Sequence, residues 1–337
     1  APVATTLTGR GILPDDHPLA MGAIGGQTGG RLGRGRAANE LAAGADVAFI
    51  LGSKTGQLAY SDWKLFAPGT KLIHLDIDER EFGRNLPTDV VLAGDVRDTL
   101  RALLAHCEAE GLAARARGNG GRIAAAKEEW RALNRPYSTS DAVPMRPERV
   151  LAELDAVVDA STIVVADASY SSGWALSHID IVAPQRTILS PRGTGGIGWA
   201  YAAALGAAMG APDRTVICLT GDGGFYYLIN EMETAARYGI KVLTVVLDNA
   251  TLGFQRHYEE KAFGSYRECD FLDIDFSQVS RALGCAGERV ERPADMAAAL
   301  RRGLAHDGPY LVDAVITPEV AAPVPGFERE LDLSLGH

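Results

Sequence analysis

Cysteine is scarce in this sequence, and long apolar runs are absent. The four cysteines among 337 residues, Cys107, Cys218, Cys269 and Cys285, form neither a CxxC motif nor a metal-like spacing. This pattern excludes a disulfide-stapled secreted domain and a zinc module, and it predicts reduced, mostly structural thiols in a cytoplasmic protein. No apolar run approaches the roughly 18 residues of a membrane-spanning helix, and no signal peptide is recognisable at the first residues. We therefore expect no membrane partner.

Positive charge is in deficit as well. Lys and Arg number 33 against 43 Asp and Glu, which gives a formal net charge of −10. Such a balance disfavours nucleic acids and anionic membrane surfaces as partners. The hydrophobic content of 47% is that of an ordinary globular protein. Because 337 residues exceed one comfortable core, we expect two domains.

Short apolar runs that end in polar or glycine residues recur along the chain. Such runs are typical of buried parallel strands, and stretches of helical periodicity lie between them. The predicted strands cover residues 46–52, 71–78, 162–169, 186–191, 215–220, 241–249 and 309–316. Alternating strands and helices in both halves predict an α/β protein with two doubly wound parallel-sheet domains.

Helix signals and one change in composition set the expected boundaries. Asp95 is a candidate N-cap for a helix over residues 95–112, and Pro147 is a candidate first residue of a helix over 147–159. Three prolines and a polar run at 134–147 predict a linker. The expected divisions are a first domain at 1–135, a linker at 136–147, a second domain at 148–320 and a tail at 321–337.

Two polar residues follow neighbouring strands of the second half. Asp222 comes after "TVICLT" and Asn249 after "KVLTVVLD", with a helix predicted over 225–239 between them. A right-handed crossover places both strand ends at one edge of the sheet, where open α/β sheets bind ligands. Carboxylate and amide oxygens are ligands that Mg²⁺ takes at about 2.0–2.1 Å, and the glycines around Asp222 allow close approach to a phosphate. We predict a divalent cation that holds a phosphorylated cofactor, with Asp222 exposed at its strand end.

The segments "GDGG" (221–224) and "DN" (248–249) resemble the cofactor-binding motif of the thiamine diphosphate-dependent enzyme family. That family ends the motif in Asn-Asn more often than in Asp-Asn, so Asp248 is a departure that leaves the presumed ligand Asn249 in place. The resemblance implies that Mg²⁺ is held by Asp222, by Asn249 and by the main-chain oxygen of Thr251, together with two diphosphate oxygens.

The resemblance is to the acetolactate synthase-like members of this family and covers roughly residues 1–318. The stretch "SPRGTGGIGWAYAAALG" (190–206) resembles the family's segment with a bulky aliphatic residue that keeps the cofactor bent, which implies this role for Ile197. The segment "ADASYSS" (166–172) lies where the family contacts the diphosphate. The resemblance implies these cofactor-binding residues: Tyr170, Ser171, Gly195, Gly196, Ile197, Gly221, Asp222, Gly223, Gly224, Asn249, Thr251 and Gly253.

The first part of the chain, including "APVATTLTGRG" and "APGTKLIHLDIDEREFGRN", resembles the central domain of the same enzymes. Related central domains contact the adenosine part of FAD near the positions of Asp76 and Asp78, although aspartates at strand ends are also ordinary turn residues. The family's pyrimidine-binding first domain, which carries the glutamate that helps to generate the reactive ylide, has no counterpart here. We therefore expect a fragment, or one half of a split enzyme, that begins inside the central domain.

Other interpretations of the same residues stay open. "GTGGIG" (193–198) fits G-x-G-x-x-G, and Asp222 follows it as the ribose-binding acid of a dinucleotide site would. Pro191 and Arg192 interrupt that pattern, and it leaves Asn249 unexplained. Asp222 and Asn249 are also the residue types of a turn acid and a cap, and the segment around Tyr170 and Ser171 could be an ordinary turn.

The resemblance implies a thiamine diphosphate- and Mg²⁺-dependent 2-oxo acid decarboxylase or carboligase. Expected partners are a small 2-oxo acid, a chain or domain that carries the pyrimidine-binding half and is needed for activity, and further subunits of a homo- or hetero-oligomer. The alternatives are a non-catalytic subunit that binds cofactor or nucleotide, and a 2-oxo acid oxidase that uses FAD. His178 and His257 are candidates for the surroundings of the pocket, or for satisfied core groups.

Overall fold

The computed structural model describes residues 1–112, 119–181, 183 and 188–324. The first residues of the strand predicted at 186–191 and most of the tail predicted at 321–337 lie outside this range. The strands are β1 Val3–Thr5, β2 Ala20–Ala23, β3 Val47–Leu51, β4 Lys71–Asp76, β5 Val90–Ala93, β6 Ile163–Ala166, β7 Ile188–Leu189, β8 Val216–Gly221, β9 Leu243–Asp248, β10 Ala286–Val290 and β11 Tyr310–Val315. The helices are α1 Arg36–Ala43, α2 Val96–Ala109, α3 Asn119–Ser138, α4 Pro147–Asp155, α5 Tyr170–His178, α6 Ala200–Gly210, α7 Asp222–Phe225, α8 Glu231–Tyr238, α9 Gly253–Phe263, α10 Phe276–Ala282 and α11 Pro293–Ala305.

A six-stranded parallel sheet organises the second half of the chain. Its strand order is β10-β11-β9-β8-β6-β7. The central strands β8 and β9 are apolar runs that are buried on both faces, as strands of parallel sheets usually are. One apolar cluster packs α4, α5 and α11 on one face, and a second packs α6, α8 and α10 on the other. The sheet is therefore doubly wound.

The first half contains two smaller parallel sheets. One has the strand order β3-β4-β5, and the other consists of β1 and β2. Ile50 of β3 and Leu72 of β4 pack in an apolar cluster with Ala38 of α1 and Ile123 of α3. All of the ladders between these strands are parallel, so the predicted α/β class with parallel sheets is confirmed.

The predicted helix starts agree with the structure. Asp95 caps α2 by accepting a hydrogen bond from the main-chain nitrogen of Asp98 at 3.1 Å, and Pro147 is the first residue of α4. Helix α3 continues through Pro136 to Ser138, so the first residues of the linker predicted at 136–147 are helical.

The helix predicted over residues 225–239 is wrong in its first part. α7 is a single turn that ends at Phe225, residues 226–230 form turns, and α8 begins at Glu231. The ring of Tyr226 packs on Phe271 and Phe276 with centroid distances of 5.2 Å in both pairs. Residues 226–230 thus form turns where Tyr226 packs against residues that are distant in sequence.

A buried ion pair joins the two halves. Nη2 of Arg10 lies 2.5 Å from Oδ2 of Asp15, and the same guanidinium donates to the main-chain oxygens of Leu176 and Ile179 at 3.0 Å each. Asp15 in turn accepts the main-chain amide of Ile181 at 2.7 Å. Arg10 and Asp15 are both buried, so these bonds hold the start of the chain against the carboxyl end of α5.

All four cysteines are free, and three of them are buried. Within the described ranges, no helix has both the length and the apolar character that a membrane crossing requires.

Candidate functional site

A cavity of about 600 Å³, including its open mouth, lies at the carboxyl ends of β6, β8 and β9. Its walls come from the segments that follow these three strands, from the loop that carries Ile197, and from Ile316 and Val320 after β11. Every cofactor-binding residue implied by the family resemblance lines this cavity except Gly195 and Gly196. Those two glycines belong to the Ile197 loop but do not line the cavity, and Gly195 has a φ of +62°. Residues that follow different strands of the sheet therefore line one cavity.

Asp222 and Asn249 are adjacent at this edge of the sheet. The main-chain nitrogen of Asn249 donates to Oδ2 of Asp222 at 3.2 Å, and that of Gly223 donates to Oδ1 at 2.6 Å. The side-chain oxygen of Asn249 accepts the main-chain nitrogen of Thr251 at 3.3 Å. Both ends of the predicted metal site are therefore oriented by main-chain amides.

The expectation that Asp222 is exposed at its strand end is wrong. Asp222 is only 3% exposed. A Cβ atom on the neighbouring Gly223 would lie 2.7 Å from Leu252 and 3.3 Å from Phe271, so these side chains cover the turn closely. Because both covering residues come from segments beyond β9, local sequence did not reveal this burial.

Asp222 and Asp248 form a pair of neighbouring carboxyl groups. Burial, together with the charge of Asp248 and a hydrogen bond between the two groups, raises the pKa of Asp222 to about 7. Burial also raises the pKa of Asp248, and the Arg289 guanidinium, 3.1 Å away, opposes this shift. A divalent cation relieves such a pair because it takes the place of the shared proton.

The donors at this edge suit Mg²⁺. They are the carboxylate of Asp222, the amide oxygen of Asn249 and the main-chain oxygen of Thr251, all from residues that line the cavity. Mg²⁺ prefers oxygen ligands and usually keeps positions for phosphate oxygens. Among the residues that the structure describes, no three His, Cys, Asp or Glu side chains are close enough together to bind a metal ion. The candidate set is therefore a mixed oxygen site and not a carboxylate or imidazole cluster.

Gly224 and Asp167 approach each other at the base of the cavity. A Cβ atom on Gly224 would lie 2.2 Å from Oδ2 of Asp167, which leaves no room for any larger residue. Asp167 is buried, follows β6 and lines the cavity, yet sequence analysis did not single it out. Its signal is the one that Asp222 gives, namely an acidic residue that directly follows an apolar strand.

Tyr170 forms part of the opposite wall. Its hydroxyl lies 2.9 Å from Nδ1 of His257, and Nε2 of His257 lies 3.0 Å from the main-chain oxygen of Pro318. Because the Pro318 oxygen can only accept, Nε2 carries the proton and the Tyr170 hydroxyl donates to Nδ1. Burial raises the pKa of Tyr170, so the phenol stays neutral. His257 thus supports Tyr170, which lines the cavity.

Apolar side chains complete the cavity. Ile197 is half-buried, and Trp174, Ile316 and Val320 line the same space. Ligand sites commonly join an apolar section to a few polar groups that fix orientation. This cavity therefore offers a polar end at Asp222 and apolar walls for an organic ring system.

The remaining candidates have local structural roles. His178 is buried between the rings of Trp130 and Trp174, with centroid distances of 5.7 and 5.4 Å, and does not line the cavity. Asp76 accepts the main-chain nitrogen of Asp78 at 2.9 Å, and Asp78 caps the 3₁₀ turn that follows it. These contacts are those of turn residues and of a core histidine.

Comparison with known families agrees with this geometry. Residues 1–103 match the central domain of thiamine pyrophosphate enzymes, and residues 167–314 match the C-terminal domain of the same enzymes, which binds thiamine pyrophosphate. Together the two matches cover most of the chain. The protein therefore belongs to the thiamine pyrophosphate enzyme family and has its central and C-terminal domains.

Similar curated proteins place the chain among acetolactate synthase-like members. It is 31% identical over 332 residues to "Probable acetolactate synthase large subunit" of Methanococcus aeolicus, across 95% of this chain and 54% of that protein. It is 28% identical over 347 residues to the glyoxylate carboligase of Escherichia coli O157:H7, across 99% and 56%. It is 30% identical over 322 residues to the acetolactate synthase large subunit of Corynebacterium glutamicum, across 94% and 50%. The chain spans about half the length of these relatives.

Proposed function

We propose that this chain is the cofactor-anchoring part of a thiamine diphosphate- and Mg²⁺-dependent 2-oxo acid decarboxylase or carboligase of the acetolactate synthase type. One observation carries the proposal. In a member of this family, Asp222, Asn249 and the glycines at the end of β8 and in α7 meet at a single cavity. When bound there, thiamine diphosphate supplies the electron sink for decarboxylation of a 2-oxo acid.

The polar end of the cavity has the task of holding the metal and the diphosphate. Asp222, Asn249 and the main-chain oxygen of Thr251 would hold Mg²⁺, after Asp222 gives up the proton that it shares with Asp248. Gly223 and Gly224 let the turn pack closely against Leu252 and Asp167, and we propose that main-chain amides of this turn approach the phosphate oxygens. Ser171, on the facing helix α5, borders the same space.

The apolar walls have a different task. Ile197, Trp174 and Ile316 line the same space. We propose that Ile197 is the bulky aliphatic residue that keeps the cofactor bent and that Trp174 and Ile316 help to exclude water. Exclusion of water strengthens electrostatic interactions at the reacting centre and suppresses side reactions. Ile197 would therefore act on the shape of the cofactor more than on its affinity.

We further propose that the chain is inactive alone. The family's glutamate relay has no counterpart among these residues, so a separate chain or domain must supply the pyrimidine-binding half. The relatives named as large subunits motivate the proposal of a homo- or hetero-oligomer. The net charge of −10 and the free cysteines support a cytoplasmic protein whose partners are other than nucleic acid.

Calorimetric titration tests the cofactor. Thiamine diphosphate should bind in the presence of Mg²⁺ and not in EDTA, and NAD should not bind under either condition. Binding of NAD, or absence of Mg²⁺-dependent thiamine diphosphate binding, would contradict the proposal and favour a nucleotide-binding subunit.

Native mass spectrometry tests the assembly and the need for a second half. The complex isolated from its source should contain this chain, a polypeptide with the pyrimidine-binding half and thiamine diphosphate. Decarboxylation of a 2-oxo acid should require that complex, whereas substantial turnover by this chain alone would overturn the claim of inactivity. Bound flavin absorbance in the complex would identify FAD as an additional cofactor.

A further inference from the structure

Asp167 makes contacts that its position in the sequence does not explain. Its Oδ2 accepts the main-chain nitrogen of Gly198 at 2.8 Å, and its Oδ1 accepts that of Trp199 at 3.1 Å. The hydroxyl of Thr220 lies 3.3 Å from Oδ2. Asp167 is 1% exposed, so a buried carboxylate joins segments that are 31, 32 and 53 residues away.

These contacts fix the end of the loop that carries Ile197. The nitrogen of Gly198 belongs to the peptide group between Ile197 and Gly198, and the carboxylate therefore sets the orientation of that peptide plane. Gly198 has a φ of +83°, and a Cβ atom there would lie 2.5 Å from Tyr227, so the chain has little freedom at this point. Helix α6 begins two residues later, and Asp167 caps its start from outside the helix.

The same carboxylate also fixes the turn after β8. Thr220 is the residue before Gly221 in that turn, and Gly224 closes the turn directly against Asp167. Asp167 therefore contacts both the turn at Gly224 and the main chain that follows Ile197. Because each of its oxygens already accepts a main-chain amide, its task is to hold main chain and not to bind a cation.

We propose that Asp167 is a positioning residue that sets the spacing between Ile197 and the glycine turn at Gly223 and Gly224. The proposal rests on the proposed function, since that spacing matters only if one ligand spans both elements. Loss of the carboxylate should let the Ile197 loop move into the cavity. A displaced Ile197 obstructs a bent cofactor, whereas a small ligand that occupies only the cradle is little affected.

The test compares three variants. Asp167→Asn keeps the shape but replaces one accepting oxygen by an amide nitrogen that faces a donor, and Thr220→Val removes one donor with almost no change of volume. Asp15→Asn is the matched control, because Asp15 is also buried and also accepts a distant main-chain amide, from Ile181, away from the cavity. Each variant is titrated with Mg²⁺-thiamine diphosphate and with Mg²⁺-pyrophosphate, and amide exchange is followed by mass spectrometry over peptides that cover 195–203.

Asp167→Asn should weaken thiamine diphosphate binding at least tenfold, weaken pyrophosphate binding less than threefold and speed exchange in the 195–203 peptides. Thr220→Val should act in the same direction with a smaller effect, which keeps the test decisive if Asp167→Asn does not fold. Asp15→Asn should leave all three measurements unchanged.

Wild-type affinity for thiamine diphosphate in Asp167→Asn, or an equal loss for both ligands, would overturn the positioning role. An equal loss in Asp15→Asn would also overturn it, because the effect would then be one of general stability. If the wild-type chain binds no thiamine diphosphate, the proposed function fails and the positioning role falls with it; unchanged exchange in Asp167→Asn refutes the role independently.

Discussion

The main-chain nitrogen of Asn249 donates to the carboxyl group of Asp222 across 3.2 Å, although the two residues stand 27 positions apart. This bond ties the ends of two adjacent parallel strands at the mouth of one cavity. Both residues line that cavity. A cation that bridges them would bind to a site whose main chain is already ordered, which lowers the entropic penalty of binding.

Asp222→Ala should abolish Mg²⁺-dependent binding of thiamine diphosphate, with affinity reduced at least ~100-fold, the scale of losing a charged, oriented ligand. The fold should persist, because a desolvated carboxyl with a raised pKa adds little to stability. Calorimetry and far-UV circular dichroism measure the two effects. Asp213→Ala, at the exposed opposite end of strand β8, is the control and should bind normally. Equal affinity in Asp222→Ala would remove the metal assignment.

Ile197→Ala should reduce turnover of the native complex by about tenfold or more while the affinity for cofactor changes less than about threefold, since its proposed role is cofactor shape. Steady-state kinetics and calorimetry separate the two quantities. Val157→Ala, which also trims a partly buried aliphatic side chain but lies away from the cavity, should leave both unchanged. A fully active Ile197→Ala complex would exclude the role.

Gly224→Ala should destabilise the fold by about 1–3 kcal/mol, because the new methyl group would meet Asp167 in a packed site. Cofactor binding should be lost along with it. Urea denaturation measures the change in the free energy of unfolding. Gly206→Ala in helix α6 meets nothing within 4 Å and should instead stabilise by roughly 0.5–1 kcal/mol. Identical behaviour of the two variants would show that the contact with Asp167 is not a constraint.

His178 should make the folded state sensitive to acid. Burial lowers the pKa of His178 to about 4, so the unfolded chain, with an ordinary histidine pKa near 6.5, binds the proton more readily. This contribution is intact above about pH 6.5 and is lost as the pH falls towards 4, by about 3 kcal/mol in total. His178→Phe keeps the ring between Trp130 and Trp174. The difference in unfolding free energy between wild type and His178→Phe should change across this window, and a pH-independent difference would contradict the shift.

Arg10→Met should destabilise the junction between the halves by about 1–3 kcal/mol, because it removes the nearer of two guanidinium partners of Asp15 and the donor to two main-chain oxygens, while Arg34 stays 3.7 Å from Asp15. Thermal unfolding measures the loss. Arg80→Met breaks an exposed pair with Asp78 of similar length, 2.7 Å, and should leave the unfolding midpoint unchanged. Equal midpoints for Arg10→Met and the wild type would mean that the junction pair adds nothing to stability.

Sequence predicted the parts of the fold in which local chemistry and tertiary structure agree. The apolar runs that became β8 and β9 are buried on both faces, and the cap at Asp95 lies within its own helix. Strand β10 was not predicted, because "AGERV" presents Glu288 and Arg289 at the edge of a sheet. This segment is a strand because it pairs with β11, and a pairing with a distant segment cannot be read from the local sequence.

Within the site, the residues that directly follow strands could be predicted from the sequence. The side chains that pack around them could not. The turn next to Asp222 packs at Gly223 against Leu252 and Phe271, which follow a later strand, and the anchoring by Asp167 reaches partners that are 31 to 53 residues away. The family resemblance also implies Gly195 and Gly196 as cofactor-binding residues, but of this loop Ile197 lines the cavity and these two glycines do not. Such differences arise from loops that fold over the edge of the sheet.

The cavity draws its walls from β6, β8 and β9, which are consecutive neighbours in one sheet. A ligand that binds there cannot bind to a chain in which this sheet has come apart, so ligand concentration acts directly on the folding equilibrium. At a free concentration of 100 times its dissociation constant, the gain is about 2.7 kcal/mol. The cellular half-life of this polypeptide should therefore follow its vitamin supply, with proteases removing first the molecules that hold no cofactor.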